Sequence, residues 1–448
     1  MLRRFLSFVM KLSVRLFFRR VEVAGTERLA GVGPALFVVN HPNGLLDPLV
    51  VFCRSPRRMT FLAKSTLFTM PGIGAVVRAF DAVPVFRRQD VGSATDKHSV
   101  TFSQARAHMR HGVAVCIFPE GVSHSDPQLR PIKTGAARIA LGAELEGLHV
   151  VPVGLYYLSK MSFRSSALLY FGEPIAVSPS GLVDAEPPHE AVDALTAQIR
   201  QALEKVTLGA DSQQAIALCE RAERIFRAAS EEDITGDDLL KERFELRQRL
   251  LEGYAMLRRE RPGELERVTM RVDRYMAEVE ALNLTPEHLA PHEFKTAQSA
   301  KYAAFNGLVL LLLLLPALCG FLTHYLTYRV LGTVAKPIAA KDKEGGDDMI
   351  ATVKVFGGML LFPLTWLIIA LVVGLTVGWW TAVLSLALLP ASGWCALVFT
   401  EWAERVGSAT RALFALSGSK GTLARLHAER VAIADEIRRL GEKLTDRL

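Results

Sequence analysis

The chain has 448 residues, a hydrophobic fraction of 50% and a formal net charge of +7. That length allows two or three structural units. The charge favours an anionic partner and does not choose between nucleic acid, anionic lipid and phosphorylated metabolites. No recognition motif supports nucleic acid. The five cysteines, Cys53, Cys116, Cys219, Cys319 and Cys395, form no CxxC pair and join no His/Cys cluster of zinc-ligand spacing, which argues for free thiols in a reducing compartment.

Residues 1–20 read as an amphipathic helix. Arg4, Lys11, Arg15 and Arg19 fall close to one face, beside a wider apolar face of Leu2, Phe5, Leu6, Val9, Leu12 and Leu16. Lys11 and Arg15 interrupt any signal-peptide core, and no small-residue cleavage site follows. The pattern suits a helix in the membrane interface, its basic side chains at anionic headgroups. A helix docked on its own domain is the alternative.

From residue 21 to 185, strand-like and helix-like segments alternate. Ala35–Asn40, Met59–Ala63, Ala82–Phe86, Val113–Phe118 and His149–Tyr157 are expected strands. Helices are expected from near Asp47, over Ala94–His111 and over Lys133–Glu146. The succession predicts an α/β domain with a central mixed sheet. Residues 186–300, charged and helical in period, read as a connector or a small bundle.

Residues 301–402 form the expected transmembrane region. Tyr302–Tyr328 holds no Lys, Arg, Asp or Glu, and no charged residue follows Lys354 until Glu401. The second run suffices for two crossings of about 20 residues each, divided near Gly374–Trp380. The first suffices for one, although Pro316 and Gly320 are expected to be able to bend it into a re-entrant element. Two to three crossings are expected: basic residues in the first domain, in the 329–354 loop and in the tail place all three on the cytoplasmic side by the positive-inside rule, which requires an even number and a re-entrant first segment, whereas three simple spans put the tail across the membrane. Trp379–Trp380 reads as an interfacial anchor. The tail, residues 403–448, carries a helical stripe of Leu423, Leu426, Ile433, Ile437, Leu440 and Leu444, whose default is packing on its own chain.

Three segments carry chemistry. In NHPNGLLDP (Asn40–Pro48) a strand ends in His41, a Pro-Asn-Gly turn and Asp47. The turn is needed to bring His41 and Asp47 together, because residues six apart do not share a helical face. A carboxylate on one imidazole nitrogen fixes the tautomer and frees the other nitrogen to take a hydroxyl proton. In FPEGVSH (Phe118–His124) a turn follows a buried strand, where open α/β sheets bind ligands; Gly121 permits close backbone approach, and Glu120 is suited to accept from a hydroxyl or an Arg. In VPVFRR (Val83–Arg88), Arg87 and Arg88 follow a strand end and suit a phosphate. Ser123, His124, Ser125 and Asp126 include triad residue types, but neighbours in sequence cannot adopt triad geometry among themselves, and they read as loop.

These segments, in this order and spacing, resemble the glycerolipid acyltransferase family, which includes glycerol-3-phosphate and lysophosphatidic acid acyltransferases. The blocks matched are His41/Asp47, Arg87, Phe118–Gly121 and Val151–Val153, with Leu129–Leu141 similar to the segment after the third block. The resemblance covers roughly residues 25–175. It departs at one point: five residues separate His41 from Asp47 where the family has four, and the Pro-Asn-Gly turn is expected to absorb the extra one. This variant, together with the long C-terminal membrane region, is most similar to the fungal-type glycerol-3-phosphate/dihydroxyacetone-phosphate acyltransferases.

The resemblance implies single-displacement transfer of a fatty acyl group from acyl-CoA or acyl-carrier protein, with no metal, no cofactor and no covalent acyl-enzyme. His41 is then the base and Asp47 its orienter. Arg87 holds the acceptor phosphate, Glu120 and Gly121 shape the acceptor site, and Lys64 and Lys133 meet coenzyme A phosphates. The expected partners are membrane lipid, the thioester donor and a glycerol-phosphate acceptor, glycerol-3-phosphate before a lysophospholipid. A rival of another class is a non-catalytic membrane scaffold.

Overall fold

The computed structural model describes residues 1–70, 72–86, 95–179, 187–229, 240–282, 284–286, 296–341, 348–418 and 420–445. The chain forms two compact units. One contains Met1–Gly209, Leu239–Phe244 and Ala335–Phe356; the other contains the remainder.

The first unit is built on an eight-stranded mixed sheet. Its strands are β1 (Phe18–Ala24), β2 (Ala35–Val39), β3 (Met59–Lys64), β4 (Val83–Val85), β5 (Ala114–Ile117), β6 (Leu148–Tyr157), β7 (Ser165–Phe171) and β8 (Ile175–Val177). They lie in the order β1-β7-β6-β2-β5-β3-β4, with β8 paired to β6. The block β6-β2-β5-β3-β4 is parallel throughout. β7 and β8 run antiparallel to β6. β2 is apolar at every position and fully buried, as a strand covered on both faces and paired on both sides must be.

Helices α1 (Leu2–Phe17), α2 (Leu46–Arg54), α3 (Ile73–Ala79), α4 (Thr95–Arg110), α5 (Gly135–Leu141) and α6 (His189–Glu204) complete the unit. α1 ends at Phe17 and passes directly into β1, so Arg19 and Arg20 belong to a strand rather than to the expected 1–20 helix. Its Val14 and Phe17 are buried, whereas Leu2, Phe5, Phe8 and Leu12 are exposed beside Arg4, Lys11 and Arg15. The helix therefore docks on its own domain and still presents an apolar and basic outer face. α6, placed in the connector by its sequence, buries Val192, Leu195, Ile199 and Leu203 in the same core as β2, β6 and α5. Phe244 joins that core.

In the second unit, α7 (Gln213–Ala229), α9 (Pro262–Ala281) and α13 (Lys420–Thr445) share a core of Leu218, Ile225, Val272, Tyr275, Leu426 and Ile433. Leu426, Ile433, Ile437 and Leu440 of the tail stripe thus pack on their own chain. Arg271 of α9 ties the tail helix through Glu429 and Glu436, each at 2.6 Å. The helix Leu240–Glu260 (α8) contributes Arg247, whose buried guanidinium forks onto Glu223 of α7 at 2.9 and 3.1 Å.

Among the described residues three helices are long and apolar enough to cross a membrane: Phe305–Ala340, Met349–Thr376 and Trp379–Glu404. They lie in α10 (Thr296–Lys341), α11 (Asp348–Thr376) and α12 (Trp379–Gly418). α10 runs unbroken past Pro316 and Gly320, so it lacks the bend that a re-entrant element needs. The division near Gly374–Trp380 falls where expected, between α11 and α12. Trp366 Nε1 donates to His324 Nε2 at 2.8 Å, and His324 Nδ1 meets the Gly320 carbonyl at 2.8 Å. Gly320 lies so close to α12 that a Cβ would stand 2.1 Å from the Ser392 carbonyl oxygen.

Candidate active site

The three central strands β6, β2 and β5 run parallel and end at one edge of the sheet. Each delivers a side chain or turn to that edge. At the end of β2 the Asn40 amide continues the ladder that the backbone is leaving: its Nδ2 donates to Leu155 O at 3.1 Å, and Leu155 N–H donates to its Oδ1 at 2.6 Å. The chain then turns through Pro42, Asn43 and Gly44, with Gly44 at a φ of 49°. Asp47 enters α2 in its first turn.

This turn closes the five-residue gap. His41 Nδ1 lies 2.8 Å from Asp47 Oδ2. The same oxygen accepts Asn43 N–H at 2.6 Å, and the other accepts the Tyr157 hydroxyl at 2.7 Å. Asp47 is fully buried, and its two oxygens take three hydrogen bonds. With Nδ1 engaged by the carboxylate, Nε2 is the ring nitrogen left for a substrate. The imidazole is 18% exposed and stacks on the Phe118 ring, centroids 4.2 Å apart. It is therefore oriented from two sides and open on a third. Burial first, and then the Asp47 charge, hold the Tyr157 phenol well above its ordinary range, so it acts only as a donor.

Glu120 follows β5. Its expected role was to accept from a substrate hydroxyl, but its carboxylate is buried among protein donors. Oε1 accepts His41 N–H at 3.0 Å; Oε2 accepts Arg130 N–H at 3.0 Å and meets His124 Nε2. Gly121 has a φ of 77° and lies under Lys133, whose Nζ would be 2.4 Å from a Cβ there. Lys133 N–H also donates to Pro119 O at 2.9 Å, so the structure brings Lys133 to the Pro-Glu-Gly turn. Lys64 is the last residue of β3, at the same edge of the sheet. Arg87 and Arg88 lie outside the described residues.

Sequence reasoning missed Tyr157, His124 and Lys160. Tyr157 reads only as the end of a buried strand. Lys160 reaches the site twice, its carbonyl accepting Asn43 Nδ2 at 3.2 Å and its Nζ donating to Ser125 Oγ at 3.0 Å. Reading His124 as plain loop overlooked that its partner stands four residues back across a turn. Among the described residues no group of three or more His, Cys, Asp and Glu could hold a metal ion. The arrangement suits removal of a proton from a hydroxyl by His41 Nε2, with cationic side chains close by.

Known proteins resemble this chain in sequence. Residues 20–156 match the family model described as Acyltransferase, and residues 235–446 match the one described as Glycerol-3-phosphate acyltransferase 2 C-terminal domain. Glycerol-3-phosphate O-acyltransferase 2 of Saccharomyces cerevisiae is 30% identical over 59% of this chain and 36% of its own. Glycerol-3-phosphate O-acyltransferase 1 of the same yeast is 26% identical over 78% of this chain and 58% of its own. A 1-acyl-sn-glycerol-3-phosphate acyltransferase of Borreliella burgdorferi is 27% identical over 37% of this chain and 66% of its own. The chain spans less than two thirds of the length of these relatives. The first of these matches contains the His41–Asp47 pair, and the second lies in the C-terminal half of the chain.

Proposed function

We propose that this protein moves a fatty acyl group from an acyl thioester, acyl-CoA or acyl-carrier protein, to a hydroxyl of glycerol-3-phosphate. The observation that carries the reading is the Asp47-bound imidazole, partly exposed at the strand-end edge of the sheet. His41 Nε2 takes the acceptor proton, and the oxygen attacks the thioester carbonyl. The tetrahedral intermediate collapses with cleavage of the C–S bond, and the imidazolium returns its proton to the leaving thiolate. Asp47 stabilises the imidazolium throughout. Backbone N–H groups near the turn stabilise the oxyanion. Lys133, beside Gly121, and Lys64, at the end of β3, are the proposed contacts for donor phosphates, and Arg87 the proposed contact for the acceptor phosphate.

The C-terminal match and the names of the two yeast relatives favour glycerol-3-phosphate as acceptor. The match to the Borreliella protein keeps 1-acylglycerol-3-phosphate as the second reading. The three apolar helices are proposed to span a bilayer, with α1 lying in its interface by the exposed Phe5, Phe8 and basic residues. The basic residues of the catalytic domain favour its placement on the cytoplasmic side.

Purified protein supplied with labelled acyl-CoA and a panel of acceptors tests the assignment. Glycerol-3-phosphate is expected to be acylated fastest, and H41A is expected to lower the rate by roughly a hundred- to ten-thousand-fold. Undiminished transfer by H41A would refute the base assignment and favour the scaffold alternative. Acylation of 1-acylglycerol-3-phosphate alone would move the enzyme to the second reading.

A further inference from the structure

His41 is held by its backbone as well as by its ring. Glu120 Oε1 accepts its N–H at 3.0 Å, and His124 N–H donates to its carbonyl at 3.1 Å. Both contacts come from one turn, 118–124, so the strand-end residue is gripped on its two peptide groups by a single loop. The grip depends on Glu120 keeping one orientation. A carboxylate on a flexible side chain keeps one only if its other oxygen is also tied.

His124 supplies that tie. It is buried, and its Nε2 meets Glu120 Oε2. Asp126 N–H donates to its Nδ1 at 3.2 Å. Because Nδ1 accepts, the ring proton sits on Nε2, and His124 is a donor towards Glu120. Arg130 N–H, at 3.0 Å from the same oxygen, is the second donor.

We propose that His124 is a positioning residue for acyl transfer. By fixing the Glu120 carboxylate it holds the His41 peptide groups, and so sets the imidazole against Asp47 and Phe118. The proposal rests on the base assignment of His41 only for its catalytic consequence; the mechanical link stands on the contacts alone. His124 does not touch the substrate. Its loss loosens the base without altering what the protein binds.

The test uses the full chain in lipid nanodiscs with glycerol-3-phosphate and labelled acyl-CoA, with melting midpoints recorded for every variant. H124A is expected to lower kcat about 10- to 100-fold. KM for both substrates should stay within about twofold, because ground-state contacts are untouched. Amide exchange over residues 36–45 is expected to accelerate. H124Q keeps an N–H within reach of Glu120 Oε2 and should recover most of the lost kcat. In the E120Q background, H124A should cost little further activity, because the two residues act as a unit. Wild-type kcat in H124A, equal loss in the Ala and Gln variants, or additive losses with E120Q would each overturn the proposal. The exchange readout separates it from the base assignment. If H41A were fully active, faster exchange in H124A would still report the link. If H41A were dead and exchange in H124A unchanged, the link would fail and the base would stand.

Discussion

At the scale of single residues, the site depends on where one carboxylate's hydrogen bonds go. Asp47 is buried with His41 and Asn43 on one oxygen and Tyr157 on the other. Y157F removes a donor from a buried anion, and its expected cost is about 1–3 kcal/mol in chemical denaturation. It also changes how stability depends on pH. The Tyr157 phenol is held well above its ordinary range, by burial first and the Asp47 charge second. The unfolded chain releases this proton near pH 10 while the folded chain retains it. The contribution is therefore complete below about pH 10 and is lost as pH rises further. Melting midpoints measured from pH 8 to 11 should fall above about pH 10, less steeply in Y157F. Much of this residue-scale picture was legible in the sequence. His41, the turn and Asp47 were found by the chemistry that their types and order imply. Tyr157 was not, because its donor role depends on β6 outlasting its pairing with β2 by four residues (Val39 pairs Val153) and so reaching Asp47. Glu120 was read correctly as an acceptor, but that its donors are protein groups of His41, His124 and Arg130 is a tertiary fact.

At the scale of elements, β2 to β6 were expected from the sequence, and β1, β7 and β8 were not. β2, β5 and β6 are apolar enough to announce themselves. β1 was missed because FRRVEVA continues the basic and apolar mixture of α1, so the change of period at Phe18 is blurred. β8 is three residues long and carries too little pattern to detect. α6 was recognised as a helix but assigned to the wrong body. An amphipathic stripe states that something must cover it, not what. The apolar helices meet the same limit. Their lengths follow from composition, but their close approach at Gly320 and Ser392 is set by packing. G320V would drive a side chain into a backbone carbonyl 2.1 Å from the Cβ position. Forcing α10 and α12 apart is expected to cost about 1–3 kcal/mol, read as an earlier loss of helicity in an SDS titration. An unchanged titration would show that the two helices do not meet there.

At the scale of the whole molecule, two features suit a lipid surface. One is the set of three long apolar helices, and the other is the outer face of α1, where Phe5 and Phe8 stand among basic residues. The helices carry far more apolar area than α1, so α1 is expected to contribute local contact rather than anchorage. In nanodiscs with and without anionic lipid, the double variant F5S/F8S should remain fully membrane-bound. The quenching of a fluorophore on α1 by headgroup-depth probes should fall by about half or more, because two of its four exposed apolar side chains are gone. Quenching equal to that of the parent would remove α1 from the membrane contact.

The position of β6, β2 and β5 in the strand order has a consequence for durability. They occupy the middle of the path, with β1 and β7 outside on one flank and β3 and β4 on the other. Fraying begins at the margins of a sheet and advances inward, so the framework beneath His41 is the last part of that unit to come undone. Mild heat or denaturant should loosen the three-residue β4 well before it reaches the acid–base pair. The proposed transfer activity is then expected to persist through partial opening and to vanish only with cooperative collapse of the central strands.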